Sequence, residues 1–451
     1  MTPPNILFLF SDQQRWDTLG CCNPAVDFTP NLDRLAAEGV RFERAFTCQP
    51  VCGPARACLQ TGLYATQTGC YRNGIALPRG VTTIADRFHQ GGYETAYVGK
   101  WHLASTDGLS RERIGKRAAY HTKPVPPELR GGYRDYWLAA DVLEFTSTGS
   151  GGHMFDGDGN QVDFTGYRVD RQTDFVLDYL NHRKSERPFF LFVSWLEPHH
   201  QNDAGHFQGP PGSKERFGGY GPPEDLKRLG GDWPEEYPDY LGCCASLDRN
   251  VGRIVAALKE QGIYEDTLIV YTSDHGCHFR TRNGEYKRAC HDACIRVPMI
   301  LHGPGFTGGK IIPELASLMD LPVTLLSEAG IDAPPEMRGN PLQRPALGDT
   351  DGWPEEVFLQ ISESQVGRAI RTGRWKYSVS APRRAGWLYA GAPTYREEFL
   401  YDLESDPHEL QNLVSDDNYR QTRLELRQRL IARMADAGET PPAILERRAA
   451  K

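Results

Sequence analysis

The hydrophobic pattern of the chain contains four short apolar runs that predict buried strands. They are Asn5 to Phe10, Thr95 to Val98, Phe189 to Leu196 and Leu268 to Tyr271. Continuous apolar runs of this length are typical of strands that are buried on both faces of a parallel sheet. Helical spacing of apolar residues occurs between these runs, over about 29–39, 83–89, 168–180 and 240–261. The alternation of strands and helices predicts an α/β fold.

Each of the four predicted strands ends in a cluster of polar residues. The clusters are Ser11-Asp12-Gln13-Gln14, Gly99-Lys100-Trp101-His102, Glu197-Pro198-His199-His200 and Ser273-Asp274-His275-Gly276. In open α/β sheets, ligands bind at the carboxyl ends of the strands. A single cluster is weak evidence of a site, since it can equally be a helix cap, a tight turn, a solvated pair or a core histidine. Four clusters at four strand ends favour one functional site.

The first and last clusters together predict a metal site. Asp12, Gln13, Asp274 and His275 offer two carboxylates, one amide oxygen and one imidazole. That ligand set suits a divalent cation that keeps room for a substrate. Lys287 follows the last cluster in a polar loop, where an isolated lysine is more often a surface residue.

Two further features predict how the chain is organised. The stretches 105–166 and 201–236 lose hydrophobic periodicity and are rich in Gly and charged residues, so we expect surface insertions there. A Pro-rich run that ends at Pro345 predicts a domain joint. We therefore expect a catalytic domain over 1–345 and a smaller α+β domain over 346–451, with a short antiparallel sheet and a terminal helix.

Composition narrows the possible function classes. The 451-residue chain has a net charge of −8, so no general attraction to nucleic acid or to an anionic membrane is expected. No run approaches the ~20 apolar residues of a membrane span, and no signal-peptide pattern opens the sequence. Eleven cysteines, with two adjacent pairs and no Cys-x-x-Cys spacing, predict reduced thiols rather than disulfides or structural zinc. These features predict a cytoplasmic protein.

The stretch 48–62 carries the most specific pattern. It reads Cys48-Gln49-Pro50-Val51-Cys52-Gly53-Pro54-Ala55-Arg56-Ala57-Cys58-Leu59-Gln60-Thr61-Gly62. Pro54 suits the first turn of a helix, which places Cys52 near the helix N-terminus. Unpaired N–H groups and the helix dipole favour an anionic or oxygen-rich group there. Arg56, one turn later, is expected to reach back toward Cys52.

Cys-x-Pro-x-Arg followed by Thr61-Gly62 resembles the signature of the type I, formylglycine-dependent sulfatases of the alkaline phosphatase-like superfamily. Further landmarks of that family match in order: Gly99-Lys100-Trp101-His102, Pro198-His199, Ser273-Asp274-His275-Gly276, Lys287, Ile295-Arg296-Val297-Pro298 and Leu400-Tyr401-Asp402-Leu403. The resemblance covers nearly the whole chain. It implies an alkaline phosphatase-like mixed sheet sandwiched by helices, with a smaller C-terminal α+β domain.

The resemblance also implies the cofactors. In this family the signature cysteine, here Cys52, is oxidised to formylglycine by a formylglycine-generating enzyme. It further implies one divalent cation, with calcium the first choice and magnesium or manganese the alternatives. The implied ligands are Asp12, Gln13, Asp274, His275 and the side chain of residue 52.

The roles of the remaining residues follow from the same resemblance. Lys100 and Lys287 neutralise the sulfate oxygens, and Arg56 orients the nucleophile. One hydroxyl of the hydrated formylglycine, with Asp274 as its base, attacks sulfur. His199 then protonates the leaving alcohol, and His102 takes a proton from the second hydroxyl as sulfate is expelled.

The expected substrate is a small sulfated sugar or a similar organic sulfate, and no macromolecular partner is needed for its hydrolysis. Trp101, Tyr133, Tyr136 and Trp137 are expected to supply apolar or sugar-stacking surfaces. The oligomeric state is open, a homo-oligomer included.

Three positions depart from the usual family pattern, namely Gln13, Gln60 and His275. Gln13 and His275 leave open a phosphonate monoester or phosphodiester hydrolase that uses the same nucleophile and site. A non-catalytic binding protein built on the same fold is a third alternative. It is disfavoured, because a pure binder has no need for both His102 and His199.

Overall fold

The computed structural model describes residues 3–109 and 118–447. In this part of the chain, a mixed sheet of eleven strands forms the centre of the protein. The strands are β1 (Asn5–Ser11), β2 (Val40–Phe46), β3 (Glu94–Lys100), β4 (Tyr136–Ala140), β5 (Ser147–Thr148), β6 (Gly151–Phe155), β7 (Gln161–Thr165), β8 (Phe189–Ser194), β9 (Thr267–Ser273), β10 (Met299–His302) and β11 (Lys310–Ser317). Their order is β11-β2-β10-β9-β1-β8-β3-β4-β6-β5, and β7 pairs with β6.

β1 lies in the middle of this sheet and runs parallel to both neighbours. Ile6 is in register with Phe190 of β8 and with Leu268 of β9. Phe8 enters the core on one face of the sheet and Leu9 enters the core on the other face, so the positions between the two ends of β1 favour apolar residues. β3 is parallel to β8. The four predicted strands are therefore parallel neighbours, and their carboxyl ends lie at one edge of the sheet.

Helices cover both faces of the sheet, as predicted. They are α1 (Pro30–Glu38), α2 (Cys52–Thr61), α3 (Ala65–Thr68), α4 (Ile84–Gln90), α5 (Arg168–His182), α6 (Ser213–Phe217), α7 (Glu224–Leu229), α8 (Trp233–Glu260), α9 (Asp292–Ile295), α10 (Asp320–Glu328), α11 (Gln343–Ala346) and α12 (Arg420–Asp436). The apolar sides of α1, α5 and α8 share one core, and those of α2, α4 and α10 share the other. No described helix is long and apolar enough to cross a membrane.

A second sheet forms a separate C-terminal domain. Its strands are β12 (Glu356–Ile361), β13 (Gly367–Thr372), β14 (Trp375–Ser380), β15 (Thr394–Asp402) and β16 (Ala443–Leu445), in that order across the sheet. Pairing is antiparallel except between β15 and β16. Leu426, Leu430 and Met434 of α12 pack in the core of this domain. The α+β domain is confirmed, whereas the boundary at residue 345 stays a prediction.

The expectation of a surface insertion over 105–166 is wrong for much of that stretch. β4 pairs in parallel with β3 and extends the main sheet, and β5 to β7 continue it. The run Tyr136–Ala140 is only five residues long and ends in two alanines, so its hydrophobic signal is weak. Residues 110–117 lie outside the described residues.

The long helix before β9 begins earlier than the apolar spacing indicated. α8 starts at Trp233 rather than near residue 240. Pro234 occupies its first turn, where the missing N–H is not needed, and Pro238 lies within the helix. The sequence did not reveal the first two turns, because a proline inside a helical pattern, here Pro238, normally marks a helix boundary.

Candidate active site

The polar residues that follow β9, β1, β8 and β3 meet the start of α2 at one edge of the main sheet. Asp12, Cys52, Asp274 and His275 each offer a ligand atom, and these atoms lie within 4.8 Å of one another. All four residues are buried. The other predicted site residues surround this cluster: Gln13, Arg56, Lys100, His102, His199 and Lys287. The structure therefore brings the predicted site residues together.

Cys52 is the first residue of α2, and three polar side chains contact its sulfur. Its Sγ lies 2.8 Å from Lys287 Nζ, 3.3 Å from His275 Nε2 and 3.4 Å from Asp12 Oδ1. The adjacent Gly53 N–H donates to Asn73 Oδ1 at 2.9 Å. Residue 52 is thus held at a helix N-terminus between a carboxylate and a cation, where a bound anion is stabilised.

The rest of α2 fixes this position by packing. Every residue of the helix is buried. The helix ends at Gly62, whose φ of 68° lies in the left-handed region and whose N–H donates to Cys58 O. Gln60, a departure from the sulfatase signature, accepts a hydrogen bond from the buried Tyr133 hydroxyl at 3.0 Å. An apolar residue at this position would leave that hydroxyl without an acceptor.

Gln13 and His275 fit the role of cation ligands. Gln13 has a φ of 69°, and its N–H donates to Asp274 Oδ1 at 3.0 Å. Its side-chain Oε1 is buried and has no hydrogen-bond partner. The Nδ1 of His275 donates to the carbonyl oxygen of Gly276 at 2.9 Å, which leaves the lone pair on Nε2. An orphaned amide oxygen and an imidazole nitrogen that keeps its lone pair, beside two carboxylates, suit a divalent cation.

Two buried cations balance the carboxylates. Lys100 Nζ lies 2.8 Å from Asp12 Oδ2. Arg56 Nη2 lies 3.1 Å from Asp12 Oδ2 and 3.5 Å from Asp274 Oδ2, and its Nη1 donates to Ser194 Oγ at 2.6 Å. The hydrogen bonds that the structure gives Arg56 thus run to the carboxylates of Asp12 and Asp274 and to the ends of β8 and β3, not back to Cys52 as expected. Buried carboxylates attract the guanidinium more strongly than a neutral thiol does.

The charges at this site shift the pKa values of its acids in opposite directions. Burial opposes ionisation of Asp12, yet Lys100 and the other cations hold the pKa of its carboxyl well below the usual range. Burial and the charge of Asp12 raise the pKa of Asp274 to about 7. Burial, again with Asp12, raises the pKa of the Cys52 thiol to about 12. An unmodified thiol therefore keeps its proton at neutral pH.

His199 and Lys287 form a hydrogen-bonded pair at the pocket wall. The Nδ1 of His199 lies 2.6 Å from the carbonyl oxygen of His200, so Nδ1 must carry a proton. Burial and the charge of Lys287 hold the pKa of His199 well below its usual range, so the imidazole is neutral. Its Nε2 then accepts the hydrogen bond from Lys287 Nζ at 3.0 Å.

His102 sits on a turn that Asp141 fixes. The His102 N–H donates to the carbonyl oxygen of Asp141 at 2.6 Å, and the Asp141 carboxylate accepts from the N–H of Ala104. The ring Nδ1 of His102 is buried without a partner. Burial, followed by the charges of Lys100 and Arg56, holds the pKa of His102 well below its usual range. A neutral imidazole with a free nitrogen is able to accept a proton.

A pocket of about 270 Å³ opens at Cys52, His102, His199 and Lys287. Its other walls combine polar residues with two exposed aromatic rings: Asn73, Asp107, Glu144, Asn202, Phe145 and Trp387. These aromatic residues are not the ones expected from the sequence.

The expectation that Trp101, Tyr133, Tyr136 and Trp137 line the pocket is wrong. Trp101, Tyr133 and Trp137 are buried in the core of the main sheet, and Tyr136 packs against Tyr179 instead. Their placement follows from β4, which draws this stretch into the sheet.

Two residues that the sequence reasoning missed support the site from outside the predicted clusters. The side-chain oxygen of Asn73 accepts a hydrogen bond from the N–H of Gly53, the residue after Cys52. Glu144 Oε1 lies 3.3 Å from Lys100 Nζ. Glu144 lies four positions after the end of β4. Had β4 been recognised in the sequence, Glu144 would have been a fifth example of a polar residue that follows a strand of the main sheet. Asn73 lies in a loop and gives no comparable signal.

Comparison with known families explains this arrangement. The sulfatase family model matches residues 4–331, and a model for the C-terminal region of N-sulphoglucosamine sulphohydrolase matches residues 284–436. The chain belongs to the sulfatase family. Membership confirms the resemblance seen in the sequence and makes the protein a sulfuric ester hydrolase of the alkaline phosphatase-like superfamily.

Individual sulfatases and related hydrolases are similar over nearly the whole chain. An N-acetylglucosamine-6-O-sulfatase of Bacteroides thetaiotaomicron is 24% identical over 509 residues, which cover 95% of this chain and 85% of the relative. The crystal structure of a putative sulfatase yidJ from Bacteroides fragilis has a TM-score of 0.80 and 25% identity, over 97% of this chain and 96% of that one. A phosphonate monoester hydrolase of Agrobacterium radiobacter has a TM-score of 0.71 and 25% identity, over 96% of both chains.

Proposed function

We propose that this sulfatase hydrolyses the sulfate ester of a small sulfated carbohydrate through a formylglycine at position 52 and a divalent cation. The observation that carries the proposal is the place of Cys52, at the N-terminus of α2 and within 4.8 Å of Asp12, Asp274 and His275 ligand atoms. A carbohydrate is favoured because the pocket combines hydrogen-bonding and aromatic walls. A similar protein is also named as an N-acetylglucosamine-6-O-sulfatase.

Asp12, Gln13, Asp274 and His275 would hold the cation, with the side chain of residue 52 as a further ligand. Calcium is our first choice, with magnesium or manganese as alternatives, because most of these donors are hard oxygens. When bound, the cation would neutralise sulfate oxygens and make the sulfur a better electrophile. Arg56 keeps both carboxylates in place by its contacts with Asp12 and Asp274.

Residue 52 is the proposed nucleophile. As a hydrated formylglycine it would supply two hydroxyls, one to displace the alcohol and one to release the sulfate. Lys287 Nζ, 2.8 Å from the residue-52 side chain, and the buried Lys100 provide positive charge for the sulfate oxygens. The signature around Cys52 implies a formylglycine-generating enzyme as a partner during maturation.

The proton that the leaving alcohol needs is assigned to the pair of Lys287 and His199. The Nε2 of His199 accepts from Lys287 Nζ, so the pair holds a transferable proton at the pocket wall. His102 is assigned the second proton transfer, from the remaining hydroxyl of residue 52 as sulfate leaves. Its unpaired Nδ1 and neutral ring suit that role.

Two further features stay predictions. The first is the cytoplasmic location expected from the sequence. Assembly into a homo-oligomer is compatible with the sequence and is not needed for the proposed chemistry.

The proposed chemistry assigns different proton transfers to His199 and His102, and variants of the two residues test this assignment. His199→Ala should slow hydrolysis most for sugar sulfates with poor leaving groups, and least for nitrophenyl sulfate, which needs little protonation. His102→Ala should give a burst of alcohol and a stable adduct on residue 52, visible in a peptide mass spectrum. A uniform loss across leaving groups with neither burst nor adduct would contradict the assignment.

The second candidate function is phosphonate monoester hydrolysis at the same site. Gln13 and His275 favour it, as does the similarity to the Agrobacterium radiobacter enzyme. Rates on an aryl sulfate and on an aryl phosphonate with the same leaving group distinguish the two functions. We expect a higher kcat/KM for the sulfate; a higher value for the phosphonate would make this second function the main one.

A further inference from the structure

Two exposed aromatic side chains stand out at the pocket. Among the described residues, the large apolar side chains that are exposed comprise five aliphatic ones and two aromatic ones, Phe145 and Trp387, at 49% and 43% exposure. Both aromatic residues line the pocket at Cys52. Single exposed apolar residues are ordinary on a protein surface. The placement of both exposed rings at one small pocket is what calls for an explanation.

Trp387 comes from the C-terminal domain, and two arginines of the other domain hold its ring. The guanidinium carbon of Arg72 lies 5.5 Å from the centre of a Trp387 ring, and that of Arg288 lies 5.6 Å from it. These distances are within the range of cation–π attraction. The indole is thus stabilised by neighbours although much of its surface is exposed.

Both arginines are themselves fixed. Arg72 makes two hydrogen bonds to the carboxylate of Asp107, at 2.7 and 2.9 Å. Arg288 pairs with the buried Glu363 at 2.5 Å, and the second oxygen of Glu363 accepts from the N–H of Asn73. The support beneath the indole is therefore tied to the loop that also positions Gly53 and Cys52.

The loop that carries Trp387 is fixed as well. A Cβ at Gly386 would lie 2.7 Å from the carbonyl oxygens of Glu363 and Gln365, so only glycine allows this close approach. The ring is therefore presented in a set orientation before any ligand arrives. Such preorganisation lowers the entropy cost of binding.

We propose that Trp387 is a specificity-determining residue that stacks on the apolar face of a pyranose ring, the alcohol half of the sulfate ester. This inference rests on the proposed function. A pyranose has an apolar face for the indole and hydroxyls for polar neighbours, and Asn73, Glu144 and Asn202 line the same pocket. Glu144 Oε2 is buried without a partner, which leaves an acceptor for a sugar hydroxyl.

Phe145 provides a second apolar wall. Its ring lies 5.5 Å from that of His121, centre to centre, and it precedes the buried Thr146 on the chain segment that carries Glu144. Trp387 belongs to the C-terminal domain and Phe145 to the catalytic domain. Recognition of the alcohol therefore involves both domains, whereas the sulfate is bound by residues that precede position 288.

The test compares a pyranose sulfate with an acyclic alkyl sulfate, both esters of alcohols of similar basicity. For Trp387→Ala we expect the ratio of kcat/KM for the pyranose to that for the acyclic sulfate to fall about tenfold, mostly through KM. Trp387→Phe should recover much of the ratio, because it restores an aromatic face. Leu445→Ala, at an exposed apolar position of the same domain outside the pocket, is the matched control and should leave the ratio unchanged.

The result separates this inference from the proposed function. If the wild-type protein releases sulfate from both esters but Trp387→Ala leaves the ratio unchanged, the stacking role is wrong and the sulfatase function stands. An equal loss on both esters, without recovery in Trp387→Phe, also overturns the inference, because it indicates a structural role. If the wild-type protein releases sulfate from neither ester, the proposed function fails, and the inference that rests on it fails with it.

Discussion

Two clusters of buried charge in this molecule have similar composition and opposite character. The active-site cluster consists of Asp12, Arg56, Lys100 and Asp274, at the carboxyl edge of the main sheet. The interface cluster consists of Asp292, Arg371, Lys376 and Glu409, between α9 and the sheet of the C-terminal domain. Each cluster holds two carboxylates and two cations.

In the interface cluster, every carboxylate oxygen has a partner. Lys376 Nζ donates to Asp292 Oδ1 and to Glu409 Oε1, at 2.5 Å each. Arg371 pairs with Asp292 Oδ2, and the backbone N–H of Asp292 donates to Glu409 Oε2. Carboxylates paired in this way hold the helix and the sheet together.

The active-site cluster is surrounded by polar atoms without partners. Gln13 Oε1 and His102 Nδ1 are buried and unpaired. Leaving such atoms unpaired costs stability, which is tolerated where a ligand completes the network. Buried charge alone therefore does not identify a cation site; here the orphaned amide oxygen of Gln13 beside the carboxylates does.

The largest expected effect tests the reactive side of the comparison. Cys52→Ala should reduce sulfate release at least ~10³-fold, because it removes the nucleophile. Cys58→Ala, in the same helix but packed in the core, should lower stability and keep the activity of the folded protein. The rates are measured on an aryl sulfate, with the folded fraction taken from circular dichroism. Similar losses of activity per folded protein in both variants would contradict the role of residue 52 as the nucleophile.

The interface cluster should respond in stability rather than in activity. Lys376→Met should lower the free energy of unfolding by about 3–5 kcal/mol, because two buried carboxylates lose their shared cation. Urea unfolding measures this change, and kcat/KM of the folded protein should stay the same. Arg79→Met, which breaks the exposed pair with Glu128, is the control and should have no measurable effect. A large loss of kcat/KM in Lys376→Met would contradict the claim that the interface cluster contributes to stability and not to catalysis.

The orphaned oxygen of Gln13 is tested by metal binding. Gln13→Ala should weaken calcium binding to the metal-free protein by about 10–100-fold, measured by isothermal titration calorimetry. Gln14→Ala is the matched control, because the Gln14 amide is already bonded to Ser11 and Thr18. Removal of metal with a chelator should lower the melting temperature of the wild-type protein and have less effect on Gln13→Ala. Unchanged affinity in Gln13→Ala would exclude it as a ligand.

A smaller effect is expected from the pH dependence of the interface cluster. Burial opposes ionisation of Asp292, but Lys376 and Arg371 hold the pKa of its carboxyl well below its usual range. A lowered folded-state pKa stabilises the protein above the unfolded pKa, and this contribution is lost as pH falls through the folded pKa. The stability difference between the wild-type protein and Asp292→Asn should be constant from pH 7 to 5 and shrink below about pH 4. A difference that grows on acidification would contradict this sign.

The sequence predicted the parts of the site that follow strong local patterns. β1, β8 and β9 each contain an uninterrupted apolar run and β3 contains a shorter one, so their polar ends could be placed at one edge of a sheet without a structure. The Cys52 segment carries its own helix-start signal in Pro54. These elements agree with the structure because burial on both faces of a sheet leaves little freedom in residue type.

The parts that the sequence missed depend on contacts between distant segments. Glu363 contacts Asn73 and Arg288 only because the second domain docks at the pocket, and no local pattern reports this. Trp387 lies in an irregular loop, where an aromatic residue more often packs on its own domain. Arg56 was expected at Cys52, but the long-range attraction of Asp12 and Asp274 determines its direction.

The most direct test of the central claim is the chemical state of residue 52 in active protein. The protein is produced with and without a formylglycine-generating enzyme, and the peptide that contains residue 52 is measured by mass spectrometry alongside sulfate release. The account predicts activity in proportion to the fraction in which the sulfur is replaced by a carbonyl oxygen. Full activity in protein that carries only the intact Cys52 thiol would contradict it.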